Sequence, residues 1–393
     1  MALWTPGAVT LACDELRDYV RGKRIALMMN TTALDNEGRS LIDRIAGEKW
    51  AEIAFLIGME HGVRGNLFGG DGKLDACDAP TGLPIVNLYK CPKLKPPVDR
   101  LREVDAVVFS AQDVGVRHWT YTPWMVSLID SAAEAGCEVI VLDRPNPIRG
   151  DIVEGEPARD PYVGTSLLSG FEYPLRHGMT IGELALMYQA KKRPTARVTV
   201  LKMRGWRRDM WYEDTGLAWI PASPNMPTVD TAIYFAATGL MQAADFSLGI
   251  GTTTPFQYVG GVDIDGTLLA DTLNAKNLAG VYFLQKYYQA STYKDIYDGN
   301  RGKLVLCDGV LILIRDRNAF RPVAAQLVIM ETMQELFGDR INFEYHAALA
   351  RPRMCTDEIL DDLAAGRGLR AVAEKWERAA EEFKEARAPY LLY

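Results

Sequence analysis

The sequence predicts an α/β protein whose first half is a doubly wound parallel sheet, and three observations carry that prediction. Short apolar runs at 25–30, 53–59, 105–110 and 137–142 alternate with stretches of helical apolar spacing, the pattern of a parallel sheet with crossover helices. Each run ends abruptly in polar or ionisable residues: Asn30-Thr31, Glu60-His61, Gln112-Asp113 with Arg117, and Asp143-Arg144 with Asn146. Ligands of doubly wound sheets bind beyond the carboxyl ends of the strands, so polar residues at successive ends predict a cleft there. At 393 residues, finally, the chain is long enough for two domains with a core each.

Taken in order, 11–20 has helical spacing and leads through Arg21-Gly22-Lys23-Arg24 into the strand at 25–30, and 41–50 is an amphipathic helix. The strand at 53–59 feeds the loop of 57–71, IGMEHGVRGNLFGGD. There Gly62, Gly65, Gly69 and Gly70 allow close backbone approach to a ligand, and Glu60, His61, Arg64 and Asp71 offer proton transfer or charge recognition. An exposed turn at a strand end is the competing reading of the same residues. No apolar period is visible over 72–97, which reads as an irregular excursion. After the strand at 105–110 come Gln112-Asp113-Val114-Gly115-Val116-Arg117, a helix at 123–135, the strand at 137–142 and Asp143-Arg144-Pro145-Asn146-Pro147. Thr180 and Glu183 form a capping box for a helix at 181–191, while His177 just before it is either a satisfied structural histidine or a ligand group. A β-rich run at 197–201 closes the first sheet. The proline-dense segment 220–228, IPASPNMPT, is too apolar for a floppy linker and marks a boundary packed into an interface, dividing the chain into 1–227 and 228–393. The second half is read as a helix at 231–244, a loop at 247–256, a strand at 305–313, helices at 323–336 and 356–365, and a charged helix at 369–387 with a solvated face.

Composition narrows the function. A net charge of −7 gives no support for nucleic-acid binding. Six cysteines without a CxxC pair read as free thiols in a reducing compartment. The first residues lack a basic region followed by an apolar core, and no apolar run approaches the roughly 20 residues that cross a bilayer, so no membrane role and a cytoplasmic location are expected; a secreted chain trimmed of its leader would look the same. No Gly-rich phosphate loop, HExxH helix, metal-spaced cluster or GxSxG elbow occurs, so a nucleotide phosphate cradle, a motif-borne metal site and an α/β-hydrolase serine have no support. With only four histidines, carboxylates are the best-supplied catalytic groups, which favours acid/base chemistry of the glycosidase kind.

These residues carry a resemblance. Glu60-His61-Gly62 with Arg64-Gly65, Thr81-Gly82-Leu83-Pro84, Gln112 to Arg117 with Thr120-Tyr121, and Leu142 to Pro147 are similar to motifs of the DUF1343 or NamZ family of exo-β-N-acetylmuramidases, glycoside hydrolase family 171. So are Arg176 to Thr180 with Gly182-Glu183-Leu184, Gly205-Trp206, Pro224 to Thr228, Gly251 to Phe256 and the terminal Tyr390-Leu391-Leu392-Tyr393. The resemblance implies a Rossmann-like N-terminal domain, a smaller C-terminal α/β domain and an active site between them. It implies release of N-acetylmuramic acid (MurNAc) from the non-reducing end of peptidoglycan fragments, a small carbohydrate substrate and no cofactor. Glu60 matches the family's EHG glutamate and is the expected general acid, raised in pKa by partial desolvation. His61, Asp113 and Asp143 are expected to assist it, either aspartate being available as second carboxylate. Arg64, Arg117 and Arg144 are candidates to grip the lactyl carboxylate, Arg144 being equally readable as half of a buried ion pair with Asp143. Asn30, Gln112, Tyr121, Asn146, His177 and Asn225 complete the expected substrate contacts.

The chain departs from the family in one loop. Where the family usually reads close to E-G-T-N-x-S-E-G-R-G-T, this sequence has Gln242, Asp245, Leu248 and Ile250 in place of glutamate, asparagine, glutamate and arginine. Two other readings follow from that departure: a non-catalytic sugar-binding or regulatory relative, and a glycosidase for a different amino sugar.

Overall fold

The computed structural model describes residues 9–67, 76–164, 166–300 and 302–393. Gly69, Gly70 and Asp71 of the glycine-rich loop and the first eight residues, on which the leader reading rested, lie outside the described residues. In the first half the elements are α1 Cys13–Val20, β1 Arg24–Met29, α2 Leu41–Gly47, β2 Glu52–Gly58, β3 Ile85–Asn87, α3 Val98–Leu101, β4 Ala106–Ser110, α4 Tyr121–Ala135, β5 Glu138–Leu142, α5 Ile181–Lys192 and β6 Arg197–Leu201. The strands form one six-stranded sheet in the order β3-β2-β1-β4-β5-β6, parallel throughout.

Both faces of the sheet are covered, which is why its strands read as unbroken apolar runs. Ile25, Leu27 and Met29 pack with Leu16, Val20 and Ile45 on one side, while Ala26 and Met28 pack with Trp124 and Leu128 on the other. Each of the valine, leucine, isoleucine and methionine side chains among them contributes about 1.5–3 kcal/mol on removal from water. Strand order reverses between β1 and β4, whose ends lie side by side with Met29 opposite Ser110. That reversal opens a crevice at the carboxyl ends of the two strands.

The expected sheet is present with one strand more than the sequence revealed. Strand β3 lies in the excursion expected to be irregular, and its three residues pair only with β2, at the sheet edge. A run that short shows no period. The helix expected over 41–50 stops at Gly47, and Trp50 folds back with its N–H on the Ile45 carbonyl.

The second half contains α6 Asp230–Thr238, β7 Tyr258–Gly261, α7 Gly266–Ala275, β8 Val281–Ala290, α8 Tyr293–Tyr297, β9 Val305–Ile314, α9 Pro322–Phe337, α10 Ala347–Met354, α11 Glu358–Ala364 and α12 Arg370–Arg387. Its three strands form a small antiparallel sheet in the order β7-β9-β8. The helix expected over 231–244 breaks at Gly239 into a 3-10 turn, Gly239–Ala243, where a Cβ would come within 2.1 Å of the His118 ring. Strand β8 escaped the sequence because buried Phe283 and Tyr288 are interspersed with exposed Tyr282, Leu284 and Tyr287 rather than alternating with polar residues. Helix α12 does present a charged face to solvent, but Val372, Trp376, Ala380 and Phe383 make its other face part of the core.

One apolar core runs through both halves, taking in Trp124 and Ile181 from the first and Ile233, Phe283 and Val323 from the second. The chain's last residues return to the first sheet. Arg387 Nη1 donates to the Gly150 carbonyl at 2.8 Å, the Leu392 N–H to Glu183 Oε1 at 2.8 Å, and the Tyr393 hydroxyl to Asp143 Oδ2 at 2.8 Å.

Candidate active site

Beyond the ends of the central strands, a cavity of about 390 Å³ is bounded by both halves of the chain. Glu60, His61 and His118 line it from the first half, Asn225 from the crossing segment, and Gln242 and Arg353 from the second. A second cavity of about 480 Å³ shares Asn225, Gln242, Tyr293 and Ile296 with it and ends against Ile250 and Leu304. The result is a cleft with one polar and one largely apolar lobe.

Glu60 reaches the cavity through a turn closed by the Gly62 N–H on the Met59 carbonyl at 3.0 Å. His61 takes a φ of +63° and Gly62 one of +76°; a left-handed histidine is a strained position of the kind that clusters at functional sites. His61 Nδ1 lies 3.1 Å from the Leu67 carbonyl. The Tyr89 hydroxyl donates to Glu60 Oε2, and the Tyr89 ring stands edge-on to Trp124 with centroids 5.4 Å apart, so the carboxylate is held by a side chain itself fixed in the core. Asn30 and Tyr121 gather beside it. Burial and then the Glu60 charge drive the Tyr121 phenol well above its ordinary pKa; its hydroxyl donates to the Ala222 carbonyl at 2.8 Å.

Other expected site residues are placed in the scaffold instead. Asp143 is fully buried and accepts from Thr180 Oγ1 at 2.8 Å, the Gly182 N–H at 2.8 Å, Tyr393 and its own neighbour's N–H at 3.0 Å. Burial first, and then the Glu183 carboxylate, push its pKa up to about 7. Arg144 makes no ion pair with it; Nε donates to Ser110 Oγ at 3.1 Å and Nη2 to the Leu34 carbonyl at 3.1 Å. Asp113 accepts from the Gly115 N–H at 2.6 Å, and its Oδ2 lies 3.2 Å from Nε2 of the buried His177. His177 Nδ1 accepts the Met179 N–H at 3.2 Å, which leaves the ring proton on the nitrogen facing Asp113. Asn146 bridges the Met179 carbonyl and the Ile148 N–H, and Gln112 clasps the Asp113 and Pro145 carbonyls. Thus Asp113, Asp143, Gln112, Asn146 and His177 knit the ends of β4, β5 and α5 together behind the cleft.

The three arginines expected to meet a carboxylate are engaged elsewhere. Arg64 forks onto Asp78 at 2.8 and 2.7 Å and onto Asp43 at 2.7 and 3.0 Å; Asp78 also accepts from Thr81, which gives the Thr81-Gly82 motif a structural purpose. Arg117 donates to the Glu156 carbonyl at 2.9 Å and the Met354 carbonyl at 2.8 Å, tying α10 to the first half.

In the divergent loop Leu248 is fully buried in the core, where a glutamate would be an uncompensated charge. Asp245 accepts the Asn342 N–H at 2.9 Å, Ile250 walls the apolar lobe, and Gln242 bridges the Tyr293 hydroxyl at 2.8 Å and Arg353 Nη1 at 2.5 Å. Sequence reasoning missed Tyr89, His118 and Arg353. Tyr89 follows a three-residue strand that shows no period, His118 is a lone histidine directly after the Gln112 to Arg117 motif, and Arg353 belongs to a helix interrupted by Pro352.

Among the described residues no group of three metal-ligating side chains comes together, and no helix is long and apolar enough to cross a membrane. Compared with known proteins, residues 25–230 match the family model for the N-terminal part of exo-β-N-acetylmuramidase NamZ and residues 233–393 that for its C-terminal part. The peptidoglycan β-N-acetylmuramidase NamZ of Bacillus subtilis (strain 168) is 34% identical over 385 residues, 96% of this chain and 89% of the relative. A crystal structure of a DUF1343 family protein from Bacteroides fragilis NCTC 9343 superposes with a TM-score of 0.88 at 31% identity, covering 99% of this chain and all of the other. A second DUF1343 structure from that organism gives 0.74 at 25% identity over 98% and 99% of the two chains.

Proposed function

The chain belongs to the NamZ family of exo-β-N-acetylmuramidases, and from this we infer a glycoside hydrolase that releases MurNAc from the non-reducing end of peptidoglycan fragments. The observation that carries the mechanism is the placement of Glu60, a half-buried carboxylate held by Tyr89 at the wall of the cleft between the two halves. We propose Glu60 as the general acid that protonates the departing glycosidic oxygen. His61 shares its turn and Asn225, in the same cleft wall, positions the sugar, while the buried Asn30 and Tyr121 stand behind that wall rather than against the sugar. Asp113 and Asp143 act from behind, through the hydrogen bonds that hold the strand ends. The boundary at 227/228, within the crossing segment, separates the two domains. Free thiols at all six cysteines support a reducing, cytoplasmic setting.

Aryl β-glycosides of MurNAc and of N-acetylglucosamine (GlcNAc), offered side by side at several pH values, test the reading. Preferred turnover of the MurNAc compound is expected, and Glu60→Gln should lower its kcat/KM by about 100- to 10,000-fold, the usual worth of a general acid, while sugar binding persists. A second reading, a sugar-binding relative without turnover, is favoured by Gln242, which puts a neutral amide in the cleft where the family usually carries a carboxylate. Well-folded protein that binds the sugar and hydrolyses neither glycoside would establish it.

A further inference from the structure

The cleft wall supplied by the second half carries a guanidinium with no counter-ion. Arg353 is 8% exposed, forms no ion pair among the described residues, and is the one arginine among them that lines the cavity. Its Nη1 donates to a neutral acceptor, Gln242 Oε1, at 2.5 Å, and its Nε has no partner. An amide at position 242 leaves the charge uncancelled, where a carboxylate would have neutralised it. Buried cations are ordinarily paired, so a charge left this way in a cleft wall is completed by an anion from outside.

The group is also held in place. Arg117 fixes the adjoining Met354 carbonyl at 2.8 Å, and the Tyr297 hydroxyl fixes the Gln242 carbonyl at 2.5 Å. Beside it in the same wall, His118 is 2% exposed, with both ring nitrogens lacking a hydrogen-bond partner. Burial, followed by the charge of Arg353, keeps that imidazole neutral, so it offers one donor and one acceptor rather than a second positive charge.

We propose that Arg353 is the specificity-determining residue of the cleft, receiving the lactyl carboxylate of a MurNAc unit bound beside Glu60 while neutral His118 hydrogen-bonds a neighbouring polar group of the sugar. The proposal rests on the muramidase reading and adds to it the residue that tells a MurNAc end from a GlcNAc end. It transfers to Arg353 the part first expected of Arg64, Arg117 or Arg144.

Titration calorimetry on the full chain with free MurNAc, its carboxyl methyl ester and GlcNAc is the test. Wild-type protein should bind MurNAc about 10- to 100-fold more tightly than the ester or GlcNAc, the range of a hydrogen bond to a charged group. Arg353→Gln should abolish that preference with GlcNAc affinity unchanged, and Arg353→Lys should restore part of it. Equal affinity of wild-type protein for MurNAc and its ester would overturn the proposal, and needs no variant to fold. So would an equal loss of MurNAc and GlcNAc binding in Arg353→Gln with no recovery in Arg353→Lys. Preference for the acid without hydrolysis of any glycoside would uphold Arg353 and sink the hydrolase reading; hydrolysis without that preference would do the reverse.

Discussion

His118 shows how a single side chain couples the cleft to stability. Burial, then Arg353 and Arg117, hold its pKa well below the ordinary 6.5. When the pH falls below that value the unfolded chain takes up a proton there and the folded protein does not. Its contribution to stability is therefore complete above pH 6.5 and declines below it, by about 1.4 kcal/mol per pH unit. His118→Gln should remove that slope, so urea melts of variant and wild type at pH 7.5 and 5.5 should differ in their acid loss by about 1 kcal/mol. An unchanged acid limb would mean that His118 is protonated in the native state. Residues of this kind explain what a sequence discloses about a site. Glu60 was legible because it terminates an apolar strand beside glycines. Asp143 and Asn146 were legible as polar residues at a strand end, and His177 as a histidine before a helix, but none as scaffold alone, because their partners Tyr393, Met179 and Asp113 lie far off in the sequence or pair through the fold. Arg353 was not legible at all: what singles it out is the missing counter-ion, a property of its surroundings.

Among the elements, the break between α6 and the following 3-10 turn lets the second half approach the cleft. Gly239 permits it, since any Cβ there would overlap His118. Gly239→Ala should cost about 1–3 kcal/mol, the range for forcing extra volume into a packed interior, seen as a lowered denaturation midpoint. A substitution within 0.5 kcal/mol of wild type would show that His118 can swing aside. The parallel strands and their helices were readable because both faces are covered, leaving unbroken apolar runs between amphipathic stretches. Of the antiparallel sheet only β9 was readable, as the strand expected at 305–313. Strand β8 is an edge strand with large apolar side chains on its exposed positions, and β7 is four residues ending in two glycines, so neither shows a period of two.

Taken whole, the molecule is two sheets joined by a core that runs from one face of the first sheet into the second half, with a separate core on the first sheet's other face, and its final residues are hydrogen-bonded into the first sheet. A fragment of residues 1–227 lacks Tyr393, Leu392 and Arg387, leaving Asp143, Glu183 and the Gly150 carbonyl without those donors and the part of the core shared with Ile233, Phe283 and Val323 incomplete. It should fail to give a cooperative melt, whereas the full chain should unfold in one transition by both circular dichroism and tryptophan fluorescence. A cooperative fragment would make the first domain an independent unit.

That returning terminus also sets a timetable for biosynthesis. Strand β6 is complete at Leu201, yet the donors that satisfy Asp143 are finished only with Tyr393. At about 5–20 residues per second the intervening chain takes roughly 10–40 s to translate. Throughout that interval a nascent first sheet emerges with its ligand-binding end unfinished, and a chaperone able to shield that end would raise the yield of active protein without touching the mature enzyme.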